Sequence, residues 1–114
     1  MTTRKDSRTV LLEAISEEQF QQQIIDLATL RGWTHYHTHD SRRSAEGFPD
    51  LVLARRSTLQ GGFDGRVIFA EIKTEKGRPS LEQRAWLALL LDTGKVEVYI
   101  WRPSDFDQIV EVLA

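Results

Sequence analysis

Val67-Ile68-Phe69-Ala70-Glu71-Ile72-Lys73 is the strongest strand signal in the 114-residue chain. Its near-continuous apolar run predicts burial on both faces of a sheet. Two charged residues close it, and charge set against an apolar strand is costly unless it is partnered. Side chains alternate along a strand, so Glu71 and Lys73 share one face and Ile72 points to the other. Upstream, Phe48-Pro49-Asp50 leads into Leu51-Val52-Leu53-Ala54, a second short apolar strand. Gly61, Gly62 and Gly65 mark a turn region between the two. If these strands pair as a hairpin, two carboxylates and one ammonium converge on one edge of the sheet.

The flanking segments complete an α/β pattern. Ser16 offers an N-cap, with Glu17 and Glu18 in the first turn. Phe20, Ile24, Ile25, Leu27, Ala28 and Leu30 follow at helical spacing up to Arg31-Gly32. Trp33 to His39 alternates aromatic and polar residues and reads as a strand. After the charged loop Thr74–Arg78, Pro79-Ser80 opens a second helix, and Ser80 and Gln83 have capping-box spacing. Leu81, Ala85, Ala88, Leu89 and Asp92 form one stripe of it, widened by Trp86, Leu87, Leu90 and Leu91. Val96–Trp101 is a strand, and Pro103-Ser104-Asp105 starts a final helix carrying Phe106, Ile109, Val110 and Leu113. The order α-β-β-β-α-β-α predicts one α/β domain over residues 10–114, a small mixed sheet flanked by helices. Residues 1–9 read as a flexible arm.

Hydrophobic residues make up 40% and charged residues 28%, which excludes a disordered, collagen-like or coiled-coil chain. No apolar run approaches the roughly 18 residues of a membrane-spanning helix. The N-terminus lacks the apolar stretch of a secretory signal, so the expected compartment is the cytoplasm. The absence of cysteine excludes disulfides, thiolate zinc sites and cysteine nucleophiles. Any metal is then held by oxygen or imidazole. The net charge is −2, yet residues 31–78 carry nine basic and six acidic side chains. Arg42-Arg43, Arg55-Arg56, Lys76 and Arg78 lie in this stretch, and as three groups expected to flank the carboxylate edge they are candidates for phosphate contacts. His35, His37 and His39 share a strand face, but ligands in a flat row do not converge on one ion, so no zinc set is expected.

Two hard carboxylates hold Mg²⁺ or Mn²⁺ while leaving coordination sites for water and phosphate. A lysine beside that water orients it, helps deprotonate it or offsets transition-state charge. Asp50, Glu71 and Lys73 are the candidates for these roles, with the Ile72 carbonyl as a further ligand. The bland alternative is a strand-end ion pair, with Asp50 capping a turn.

Gly47-Phe48-Pro49-Asp50-Leu51-Val52-Leu53, then Phe69-Ala70-Glu71-Ile72-Lys73-Thr74-Glu75-Lys76-Gly77, then Ser80-Leu81-Glu82-Gln83, resemble the PD-(D/E)xK nuclease superfamily. Within it they are similar to the VRR-NUC family, specifically its small stand-alone members. The resemblance runs from about Ser16 to Leu113. It implies a restriction-endonuclease-like core and divalent-metal-dependent DNA cleavage, with Asp50 and Glu71 as metal ligands and Lys73 as the catalytic lysine. It also implies a carboxylate on the first helix and a glutamine on the second, matching Glu17 and Gln83. Glu17 shares the stripe of Phe20 and Ile24, with adjacent Glu18 as the rival. Gln83 serves equally as a capping-box partner. The resemblance includes a Tyr-His on the first strand, which makes His37 a candidate DNA contact or a pocket-edge histidine. Stand-alone members look like homodimeric resolvases of four-way (Holliday) junctions, often from phages, so a bacterial or phage-infected cell is the expected setting. The rival functions are a flap, end or duplex nuclease, and a catalytically inert DNA-binding module of the same fold.

Overall fold

The computed structural model describes residues 5–38 and 45–114. In order along the chain it contains α1 (Ser7–Ala14), α2 (Glu17–Leu30), β1 (Thr34–His37), β2 (Leu51–Arg55), β3 (Arg66–Ile72), α3 (Leu81–Asp92) and β4 (Glu97–Trp101). A short 3-10 turn (Pro103–Asp105) then runs into α4 (Phe106–Leu113). The strands form one mixed sheet in the order β1-β2-β3-β4. β1 and β2, and β2 and β3, pair antiparallel, while β3 and β4 pair parallel. This is the small α/β fold with a mixed sheet expected from the sequence, and it is consistent with a restriction-endonuclease-like core.

Apolar spacing dictates the layers. Phe20, Ile24, Ile25 and Ala28 turn one face of α2 onto the sheet and are buried, whereas Leu30 is exposed. They pack with Leu51 and Leu53 of β2, Ile68, Ala70 and Ile72 of β3, Trp101 of β4, and Ile109 and Leu113 of α4. A Ser16–Gln19 capping box starts α2. β3 is buried on both faces only in its last three residues, Ala70, Glu71 and Ile72.

Three placements differ from the sequence expectation. Residues 7–9, read as part of a flexible arm, form the first turn of α1, with Asp6 as N-cap accepting from Thr9 N at 2.7 Å. The Leu81–Ala85–Ala88–Leu89 stripe of α3 faces outward, and Leu87 is the residue of that helix that is buried. Arg55 and Arg56 sit at the far end of β2 from Asp50, roughly 17 Å away at the usual strand rise. Arg55 is engaged there: it donates to the carbonyls of Arg31, Leu113 and Ala114 and stacks 4.5 Å from the Trp33 ring centre. The two arginines therefore do not flank the carboxylate edge. Arg42 and Arg43 lie outside the described residues.

Candidate active site

The hairpin register brings the two carboxylates together. Leu51 pairs with Ala70, so Asp50 and Glu71 end adjacent antiparallel strands at the same edge. Asp50 Oδ2 accepts from the Ile72 amide at 2.9 Å. In this ladder the Lys73 amide donates to Trp101 O at 3.0 Å, so Lys73 N–H faces β4 and Ile72 N–H faces the opposite side. The N–H and C=O of one strand residue point the same way. The Ile72 carbonyl thus faces the Asp50 side, beyond the end of β2, where a further oxygen ligand would belong.

Pro49-Asp50 is held by Thr38, which the sequence did not single out, and by the Gly47-Phe48 pair that precedes it. The Thr38 amide donates to Asp50 O at 2.7 Å, and its hydroxyl donates to Pro49 O at 2.6 Å. Phe48 packs edge-on against Phe69 and Trp86, with ring centres 6.0 and 5.1 Å away. Gly47 has φ +83°, and a Cβ there would lie 2.5 Å from the Glu82 backbone carbon. The Gly-Phe-Pro-Asp run is therefore a close approach, an aromatic anchor and a buried proline that together aim one carboxylate. Gly47→Ala should cost about 1–3 kcal/mol in backbone strain, more if α3 must retreat. Calorimetry should show Tm lower by roughly 5–15 °C, with cleavage falling alongside it.

Glu71 is fully buried. Its Oε1 accepts from Gln83 Nε2 at 2.8 Å and lies 3.5 Å from Lys73 Nζ. Its Oε2 has no hydrogen-bond partner among the described residues. Burial first, then a hydrogen bond that protonated Glu71 shares with Asp50 and the charge of that carboxyl, push Glu71 up to about 9, against the pull of Lys73; Oε2 is thus without a donor in the ionised form. Gln83 fills the capping box, its Oε1 accepting from Ser80 N at 2.8 Å, while its amide nitrogen reaches Glu71. The capping box thus fixes the rotamer that presents the amide.

The remaining candidates are dispersed. Glu17 and Glu18 are both exposed at the start of α2, and among the described residues no third acidic or imidazole group joins Asp50 and Glu71 as a metal set. The inward stripe of α2 begins at Phe20, so Glu17 does not share it. His37 lies opposite Leu51, at the carboxylate end of the sheet. Lys76 and Arg78 are exposed on the loop after β3.

An orphaned buried carboxylate oxygen beside a second carboxylate fits a hard divalent cation, and no thiolate competes for it. The VRR-NUC domain profile matches residues 3–102. The chain belongs to the VRR-NUC family. It is thereby a nuclease domain of the PD-(D/E)xK-like superfamily, whose members generally use divalent metals. This VRR-NUC domain is 42% identical over 66 residues to the Fanconi-associated nuclease 1 homolog of Arabidopsis thaliana, a stretch covering 57% of this chain and 7% of that protein. No solved structure gives a significant match to this VRR-NUC domain. Among its described residues no helix is long and apolar enough to cross a membrane.

Proposed function

We propose that this domain is a Mg²⁺- or Mn²⁺-dependent DNA endonuclease, selective for four-way junctions and acting as a homodimer in the cytoplasm of a bacterial or phage-infected cell. The carrying observation is the unpartnered Glu71 Oε2, buried beside Asp50 and bordered by Lys73 and Gln83. Asp50, Glu71 and the Ile72 carbonyl would hold the ion. When bound, the ion polarises the phosphate and acidifies a coordinated water. Lys73 holds its ammonium beside Glu71 Oε1, where it would orient the attacking water and offset charge on the phosphoryl oxygens. Gln83 keeps Glu71 Oε1 occupied, so Oε2 is left for the ion. His37, Lys76 and Arg78 contact the backbone around the cut. Glu17, exposed and apart, has no part in this set.

Two observations support the dimer. One domain holds one such site, and a two-fold pair nicks two symmetric strands in one encounter. The outward stripe Leu81–Ala85–Ala88–Leu89 runs large, small, small, large, so an antiparallel copy of α3 meets it symmetrically. An immobile four-way junction should be cut at least tenfold faster than its linear duplex arms in Mg²⁺, and neither should be cut in EDTA. Equal cleavage of both removes the junction preference. Binding without cleavage in either metal turns the reading into an inert DNA-binding module.

A further inference from the structure

The active-site reading leaves the contact between α1 and the loop after β3 unused. α1 buries no side chain, yet Glu13 in its last turn reaches that loop. Glu13 Oε1 lies 3.5 Å from Lys76 Nζ, and Oε2 accepts from Lys5 Nζ at 2.6 Å. An anion therefore already sits on Lys76.

The loop carrying Lys76 is built rather than slack. The Gly77 amide donates to Thr74 O at 3.0 Å, which closes a turn. A Cβ at Gly77 would lie 2.9 Å from Thr74 Oγ1. Arg102 Nε and Nη2 both donate to Gly77 O, at 3.2 and 2.9 Å. Ser104 N donates to Glu75 Oε2 at 3.0 Å, which uses that carboxylate within the wall. Lys76, Arg78 and Arg102, with Glu75 and Gly77, line an open cleft of about 590 Å³ that starts two residues beyond Lys73. That volume falls within the range of small-ligand sites, and three cations against one engaged carboxylate favour an anion.

We propose that this cleft takes a backbone phosphate of the bound DNA strand next to the one being cut, and that Glu13 holds Lys76 as a built-in competitor which the phosphate displaces. The proposal rests on the nuclease reading above. An exposed ion pair is weak, and Lys76 is largely exposed, so a polyanion with counterions to release takes Lys76 from Glu13 readily. Arg102 acts here as a positioning residue, through the Gly77 carbonyl that sets the turn.

The test is fluorescence anisotropy of a labelled four-way junction titrated with the full chain, carrying Lys73→Ala to prevent cutting, in Mg²⁺ across a NaCl series. Glu13→Gln should bind roughly three- to tenfold tighter with an unchanged salt slope, because the phosphate meets Lys76 in both complexes and only the competitor is gone. Lys76→Ala should weaken binding and flatten the log–log slope by about 0.9, the worth of one phosphate. Arg102→Lys should keep the slope near wild type, while Arg102→Gln should flatten it. The double variant Glu13→Gln/Lys76→Ala should match Lys76→Ala alone. Unchanged affinity for Glu13→Gln overturns the proposal, as does equal tightening in the Lys76→Ala background. Inorganic phosphate at matched ionic strength should compete no better than chloride, and stronger competition replaces the DNA phosphate with a free-phosphate site. If wild type cuts DNA but the Glu13 variants behave as wild type, this inference alone fails. If wild type neither binds nor cuts DNA, the nuclease reading fails with it.

Discussion

Lys73→Ala is expected to cut DNA roughly a thousandfold more slowly than wild type, and Asp50→Asn to leave no detectable cleavage, while both bind the junction within a few-fold of wild type. Lys73 is mostly buried against Glu71, 3.5 Å from its Oε1, so its ammonium is held in one place before any substrate arrives. A charge fixed in a partly dry site stabilises developing phosphoryl charge far better than a mobile surface lysine. Removing one such preorganised group commonly costs two to three orders of magnitude in rate, about 3–4 kcal/mol of barrier. Asp50→Asn keeps the shape and the acceptor for the Ile72 amide but removes the negative charge a dication needs. Lys76 and Arg78 lie on the exposed loop and keep their charges in both variants, which is why binding survives. Gel shifts on a junction, paired with single-turnover cleavage in Mg²⁺, check both halves. Lys73→Ala within tenfold of wild type would remove the lysine from the chemistry. Loss of binding with Asp50→Asn would mean that the carboxylate holds the fold rather than the ion.

Much of the site was legible because its parts come from short-range patterns. The alternation that puts Glu71 and Lys73 on one face is a property of any strand. The hairpin between two apolar strands then forces Asp50 to the same edge. Gln83 was legible as a cap, and the same amide also reaches Glu71, which ties the start of α3 to the candidate site. What was not legible depends on which end or which side a residue takes in three dimensions. Arg55 follows the same strand that Asp50 precedes, and sequence proximity hides the strand length between them. Its guanidinium is spent on the carbonyls at the end of α4 and on Trp33, over whose ring Arg66 also lies. α3 is apolar nearly all round, so its pattern names no inward face. The sheet takes Leu87, and Leu81 and Leu89 are left outside. α1 has eight residues and no buried side chain, too little periodicity to stand out beside its charges. Thr38 carried no signal, since its work is done on the backbone of Pro49 and Asp50. Arg102 had one: a strand pairing parallel with β3 must end beside the loop that follows β3.

Without divalent metal, the protein is expected to lose stability as pH rises from about 5 to about 9, and a divalent cation should reverse the trend. The sign follows from Glu71, whose folded value of about 9 stands above the ordinary 4.5 of an unfolded chain. Below about 4.5 both states hold the proton, and pH changes nothing. Between the two values the folded protein keeps a proton that the unfolded chain has released, so each step up in pH favours unfolding. One proton sets the ceiling at about 1.4 kcal/mol per pH unit. Glu71→Gln carries no such proton and should stay flat across the window, and more stable than wild type at pH 8. A divalent cation needs the ionised carboxylate, so it must expel the same proton, and its affinity should climb with pH. The Tm gain from 10 mM Mg²⁺ should accordingly be larger at pH 8.5 than at pH 6, and absent in Glu71→Gln. Urea melts in EDTA from pH 5 to 9 read the first half, and the same melts in Mg²⁺ the second. Metal-free stability that rises through this window, or a parallel fall in Glu71→Gln, would place the titrating group elsewhere. The burial that makes Glu71 expensive to ionise is thus what couples folding, proton release and cation binding at one oxygen pair: Lys73 and Gln83 offset only part of that cost, and the ion the site is proposed to use offsets the rest.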